Sequence, residues 1–166
     1  MIRGIVGEYA MIIRNLKLED FDDVNKLFMQ LHNAEMEHRP DLFRKIEKPT
    51  TSKAWDFEAS LVDNSKIMIG AEVDGKIVGF VIVQIRQSEY KILTPRTFAY
   101  FENIVVDENY RRKGIGTAIY QEGVKRAQEQ GATSMELKVW NFNTGAIKFY
   151  QSLGMSVQSL TMEKAL

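Results

Sequence analysis

Two β-rich runs, KIMIGAEV at 66–73 and KIVGFVIVQI at 76–85, are separated only by Asp74-Gly75, and this junction constrains the fold more than any other feature of the chain. An Asp-Gly pair between such runs is the strongest short-range hairpin signal, because both residues tolerate the positive φ that a two-residue turn demands. The runs are therefore expected as antiparallel neighbours. From Ile77 to Val83 nearly every position is apolar, so the second strand is expected inside a sheet and covered on both faces. That cover has to come from helices.

Helical patterns lie on both sides of the hairpin. Strand-like IIRNL gives way at Asp20 to Phe21, Val24, Leu27, Phe28 and Leu31 at helical spacing, with Asp20 as N-cap and Asp22 and Asp23 in the first turn, where the helix dipole favours carboxylates. Pro40 interrupts this helix, and TSKAWDFEASLV at 51–62 reads as a second one capped by Thr51 or Ser52. Further on, TFAYFENIVV at 97–106 is another strand. The stripe Ile119, Tyr120, Gly123, Val124 and Ala127 marks a helix that stops at Gly131. SMELKVW at 134–140 alternates as a strand, a helix runs from Thr144 to Leu153 before Gly154, and MSVQSLTMEK reads as a last strand. The order β, α, α, β, β, β, α, β, α, β predicts an α/β (α+β) fold: one mixed, mostly antiparallel, twisted sheet of about six to seven strands with helices on both faces. Residues 1–10 carry little pattern and are set apart as an N-terminal extension, native or not. Residues 11–166 then form one domain, a size that can bury a full core.

Charge and composition narrow the function. Lys+Arg and Asp+Glu each total 22, giving a formal net charge of zero, so there is no global field to gather nucleic acid or an anionic membrane, and any anion site must be local. With no cysteine, the chain has no disulfide, thiolate nucleophile or sulfur-ligated metal, and two histidines, His32 and His38, do not suggest a metal site. No apolar run approaches the roughly 20 residues of a membrane helix, and no signal-peptide core is evident. The expectation is a cytoplasmic protein without metal.

The local anion site is legible in ENYRRKGIGTAIYQEG, residues 108–123. A strand that enters a glycine-rich turn and then a helix gathers unpaired N–H groups at the positive end of the helix dipole, which suits phosphate. Glycines at 114 and 116 allow close approach, and Arg111, Arg112 and Lys113 add charge. Thr117 follows Gly116 with no intervening lysine, contrary to a P-loop, and Ile119 stands where a dinucleotide fingerprint needs its third glycine. The pattern Arg111-x-x-Gly114-x-Gly116 instead resembles the coenzyme A pyrophosphate motif of the GNAT superfamily of N-acetyltransferases. Asn143-x-x-Ala146-Ile147-x-Phe149-Tyr150-x-x-x-Gly154 resembles the second signature of that family, and the element order from Ile12 onward matches as well.

The resemblance implies acetyl-CoA as co-substrate and direct transfer of acetyl to a primary amine in a ternary complex. It assigns pyrophosphate binding to the amides of Arg112, Lys113, Gly114, Ile115, Gly116 and Thr117, supported by Arg111. Backbone groups of Ile104, Val105 and Val106 would pair with the pantetheine amides as an added strand does. A backbone N–H of the same strand would face the thioester carbonyl. Glu102, the one charged residue in AYFENIVV, is either a carboxylate on the sheet surface or the general base that relieves the substrate ammonium of its proton. Asn103 would help orient substrate. Tyr150 falls where the family carries the acid that protonates the leaving thiolate, although an aromatic packed beneath the sheet would give the same letter. Asn143 would touch the pantetheine arm, or simply cap a helix, and Ala146 is small where the cofactor passes.

For the acceptor, the segment 31–44 is the informative one, because the family's first helices wall that pocket. Glu35, Glu37 and Asp41 could attract a cationic amine, whereas His38 and Arg39 could hold a carboxylate; a solvated mixed-charge loop would look the same. The acceptor is a small-molecule or protein amine, with neither nucleic acid nor membrane as partner, and a homodimer is carried over from the resemblance. The alternatives are a non-catalytic acyl-CoA sensor on the same fold, or a nucleotide-binding protein that uses the glycine turn differently.

Overall fold

The computed structural model describes residues 2–6, 9–46, 56–88 and 91–164. Its strands are β1 (Ile2–Val6), β2 (Tyr9–Asn15), β3 (Lys66–Val73), β4 (Lys76–Gln87), β5 (Thr97–Val106) and β6 (Ser134–Leu137), and its helices are α1 (Phe21–His38), α2 (Phe57–Val62), α3 (Ile115–Glu129) and α4 (Thr144–Ser152). The strands form one sheet in the order β1-β2-β3-β4-β5-β6. Neighbours are antiparallel except β5 and β6, which run parallel through the α3 crossover. This is the mixed, mostly antiparallel sheet expected from the sequence.

The Asp74-Gly75 hairpin forms as read. Val73 pairs with Lys76, and the two turn residues have φ of 50° and 75°. β4 is central, and its side chains divide between two cores. Ile77, Phe80 and Ile82 join Val24 and Leu27 of α1 and Phe57 of α2, while Val78, Val81 and Val83 join Ile115 and Ile119 of α3. Phe149 of α4 and Leu153 at its C-cap pack on the α3 side.

Several expectations are corrected. The set-apart residues 2–6 form β1, an edge strand paired with β2. α1 continues to His38, so Glu35, Glu37 and His38 belong to a helix and not to a connecting loop. Asp20 holds the N-cap position of α1 as read, but its side chain makes no cap hydrogen bond: the carboxylate accepts from the Lys17 N–H at 2.7 Å and pairs with Arg14. Asp56 caps α2, accepting from the Ala59 N–H at 3.0 Å, and the expected caps Thr51 and Ser52 lie outside the described residues. β6 ends at Leu137, three residues before the predicted Trp140. Residues 155–164 join no strand; Val157, Leu160 and Met162 in that segment are exposed, so their alternation serves no buried face of this chain.

Candidate active site

The glycine turn has the geometry of an anion cradle. Arg112 and Gly114 both adopt left-handed backbone, with φ of 60° and 83°, which folds the turn back onto the start of α3. Gly114 is the N-cap of α3 and, lacking a side chain, cannot cap that end itself; the first turn carries no acidic residue. Its first intrahelical bond runs from the Ala118 N–H to the Gly114 carbonyl, so the amides before Ala118 lie at the positive end of a 15-residue dipole, suited to an anionic acceptor. At Gly116 an added Cβ would lie 3.6 Å from Phe149 and 3.7 Å from Val106, ordinary contact distances, so the protein's own packing does not demand a glycine there. Arg111 braces the turn by donating from Nε to the Val106 carbonyl at 3.1 Å, and the Lys113 ammonium lies 5.1 Å from the centroid of the Tyr110 ring.

Beside the turn, β5 has an open edge. β6 pairs with it only from Phe98↔Ser134 to Phe101↔Leu137 and then leaves the sheet, so Glu102–Val106 have no strand partner on that side among the described residues. Ile104 and Val106 keep their β4 partners, Val81 and Gly79, on the other side. The strands separate at a bulge: Phe101 pairs with Val83 and Asn103 with Ile82, which leaves Glu102 as the extra residue. Alternation from Asp107, whose N–H faces β4, turns the backbone groups of Ile104 to the open edge and those of Val105 toward β4, while the outward Val106 carbonyl already accepts from Arg111.

Glu102 shares its carboxylate between Lys66 at 3.6 Å and Arg86 at 3.5 Å, with all three side chains partly exposed. Arg86 also stacks over Tyr100, 3.8 Å from the ring centroid. These groups make a polar row on the sheet face that carries α1 and α2, and Asn103, paired with the core residue Ile82, lies in the adjoining row of the same face. Lys66 and Arg86 were not anticipated from sequence, since a cation at a strand end is ordinarily a solvated one.

Tyr150 is half-buried on α4, with Phe149 between it and Tyr120: ring centroids are 5.3 Å and 6.3 Å apart along that series. Burial, with the nearby Tyr120 phenol contributing, pushes the Tyr150 hydroxyl up to about 12. Such a phenol stays protonated throughout the neutral range and is a donor, not a base. Asn143 caps α4, its Oδ1 accepting from the Ala146 N–H at 3.1 Å.

The candidate acceptor residues meet an aromatic cluster beyond the end of β6. His38 stacks on Phe142 at 4.4 Å and 9°, Phe142 stacks on Trp140 at 5.8 Å, and Phe43 meets Trp140 edge-on. Burial raises the Glu35 carboxyl above its ordinary value, opposed by the Trp140 indole and by His32. Arg39 spans Asp41 and Glu163 and lies over Trp140, so its charge is already engaged. The cluster ties the last turn of α1 to the loop 138–143, next to the place where β6 parts from β5. Trp140 and Phe142 escaped the sequence reading because alternation assigned Trp140 to a strand, although WNFN after a short strand was the available signal.

Comparison with known proteins agrees with this geometry. Residues 27–155 match the model of the Acetyltransferase (GNAT) family. Among curated relatives, an uncharacterized N-acetyltransferase of Methanocaldococcus jannaschii is 30% identical over 142 residues, covering 86% of this chain and 59% of that protein. An N-alpha-acetyltransferase of Sulfurisphaera tokodaii is 29% identical over 146 residues, covering 86% of this chain and 78% of its own. Among solved structures, a tetramutant protein from Bacillus halodurans superimposes with a TM-score of 0.87 at 30% identity, over 93% of this chain and 99% of that one.

Proposed function

This chain belongs to the GNAT acetyltransferase family, and from that premise we propose that it moves an acetyl group from acetyl-CoA directly to a primary amine of a small molecule or a protein. The observation that carries the reading is the uncapped, acid-free start of α3 behind two left-handed turn residues, next to the open edge of β5. A pyrophosphate fits that cradle, and an extended pantetheine arm fits that edge. Acetyl-CoA supplies an activated acyl thioester; the chain supplies binding, orientation and proton traffic. Amides from Arg112 to Thr117 hold the diphosphate, with Arg111 keeping the turn on β5. Glu102, at the bulge, takes the proton of the acceptor ammonium directly or through water, and Asn103 orients the amine. Tyr150, kept protonated by burial, gives its proton to the departing thiolate. The Sulfurisphaera relative, an N-alpha-acetyltransferase by name, favours including peptide amino termini among the acceptors tested.

The test is free-thiol release from acetyl-CoA against a panel of polyamines, amino acids, aminoglycosides and peptide amino termini. Glu102→Gln is expected to lower kcat/KM about 100-fold or more, the usual contribution of a general base. Tyr150→Phe is expected to cost less, about tenfold, because a thiol with a pKa of roughly 8.5 is already a tolerable leaving group. Acetyl-CoA binding without thiol release for any amine would favour a sensor instead. Thermal stabilisation by ATP or NADH but not by coenzyme A would overturn the reading altogether.

A further inference from the structure

The side-chain amide of Gln30, in the middle of α1, reaches across 77 residues of sequence to the segment that leads into the glycine turn. Nε2 donates to Asp107 Oδ2 at 3.1 Å, and Oε1 accepts from the Glu108 N–H at 3.3 Å. Asp107 is itself a junction: its backbone N–H donates to the Val78 carbonyl at 2.9 Å, and its other carboxylate oxygen accepts from the N–H and Nδ2 of Asn109 at 2.9 and 3.0 Å. Val78 and Asp107 are the next positions in register after Gly79↔Val106, so this bond carries the β4–β5 ladder one residue past the end of β5. The chain thus leaves β5 held from β4 by Val78 and from α1 by Gln30, and Arg111 ties it back to Val106. Only then does it enter the residues with positive φ.

We propose that Gln30 is a positioning residue for coenzyme A: by fixing Asp107 and Glu108 it sets the direction in which the amides from Arg112 to Thr117 point. The inference rests on that turn being the pyrophosphate site. A turn with two left-handed residues holds one shape, but its aim depends on where its entry is anchored, and α1 anchors that entry through this amide. The same helix carries His38 to Phe142, eight residues on, so α1 touches both the cofactor turn and the loop beside the acceptor. Binding at either site therefore acts on one rigid element.

Gln30→Met keeps the length and removes both hydrogen bonds. The expected result is a Kd for coenzyme A about tenfold higher by calorimetry, matched by the KM for acetyl-CoA, with kcat at saturation of both substrates within about twofold; tenfold is the scale of one hydrogen bond to a charged group. Gln30→Glu places a carboxylate against Asp107 and is expected to weaken binding more. The pair Gln30→Glu with Asp107→Asn reverses donor and acceptor and should recover most of the affinity. Unchanged coenzyme A affinity in a folded Gln30→Met protein overturns the proposal. So does an affinity in the reversed pair no better than in Gln30→Glu, which decides the matter even where Gln30→Met lowers the melting temperature. Failure of the wild-type protein to bind coenzyme A at all is a different outcome: it removes the acetyltransferase reading, and this inference with it.

Discussion

Gly114 and Gly116 stand two residues apart, yet alanine is expected to do opposite things at them. At Gly114, φ of 83° is a conformation that any Cβ strains, so Gly114→Ala should destabilise the fold by about 1–2 kcal/mol. At Gly116 the backbone is helical and the nearest atoms to a new Cβ are 3.6 Å away, so Gly116→Ala should leave stability unchanged or raise it by up to about 1 kcal/mol. Its new methyl group would lie against Phe149 and Val106 on the first turn of α3, beside the cradle amides, and coenzyme A affinity should fall. Paired measurements of melting temperature and coenzyme A Kd check this; a Gly116→Ala protein that binds normally would remove Gly116 from the cradle. Both glycines were legible in the sequence. The positive φ of Arg112 was not, because a motif read as charge gives no sign that its backbone carries strain.

At the scale of elements, strands and helices with a full buried face were legible, and those whose ends are set by a neighbour were not. The reading of β5 as 97–106 agrees with the structure, because its alternation is read out by two cores. β6 stops at Leu137 because its partner bulges at Glu102, an event on another strand that its own pattern cannot report. Pro40 marked the end of α1 only loosely: the helix runs to His38, whose ring then lies against Phe142. That contact offers a way to test the proposed acceptor site apart from the proposed cofactor site. Phe142→Ala removes the face shared by His38 and Trp140, and is expected to raise the acceptor KM severalfold while changing the coenzyme A Kd by less than about twofold. A change confined to coenzyme A would show that the loop 138–143 serves the cofactor and not the acceptor.

Across the whole molecule, zero net charge conceals a buried ionic junction that joins β2 and β3 to the residue preceding the first helix. Arg14 of β2 donates from Nε to Glu72 of β3 at 2.5 Å and from its two terminal nitrogens to Asp20 at 2.7 and 2.8 Å; Arg14 and Asp20 are 14% and 7% exposed. Burial by itself would raise the Asp20 carboxyl, but the Arg14 hydrogen bond and the Lys17 amide outweigh it and hold the group below its ordinary value. A carboxylate depressed in the folded state contributes stability that is present above its unfolded pKa of about 3.9 and is lost as pH falls through the lower folded value. Acid unfolding is therefore expected to steepen below about pH 4. Arg14→Met leaves Asp20 buried without its partner, at a cost of about 3–5 kcal/mol near neutrality. The Asp20 carboxyl should then rise above its ordinary value, so that acidification relieves the variant by protonating it, whereas the wild type keeps this contribution down to about pH 4 and loses it only below. Urea denaturation of both proteins from pH 3 to 7 measures the difference: the gap in stability should narrow steadily toward acid. A gap independent of pH would mean that Arg14 contributes through packing and not through its charge.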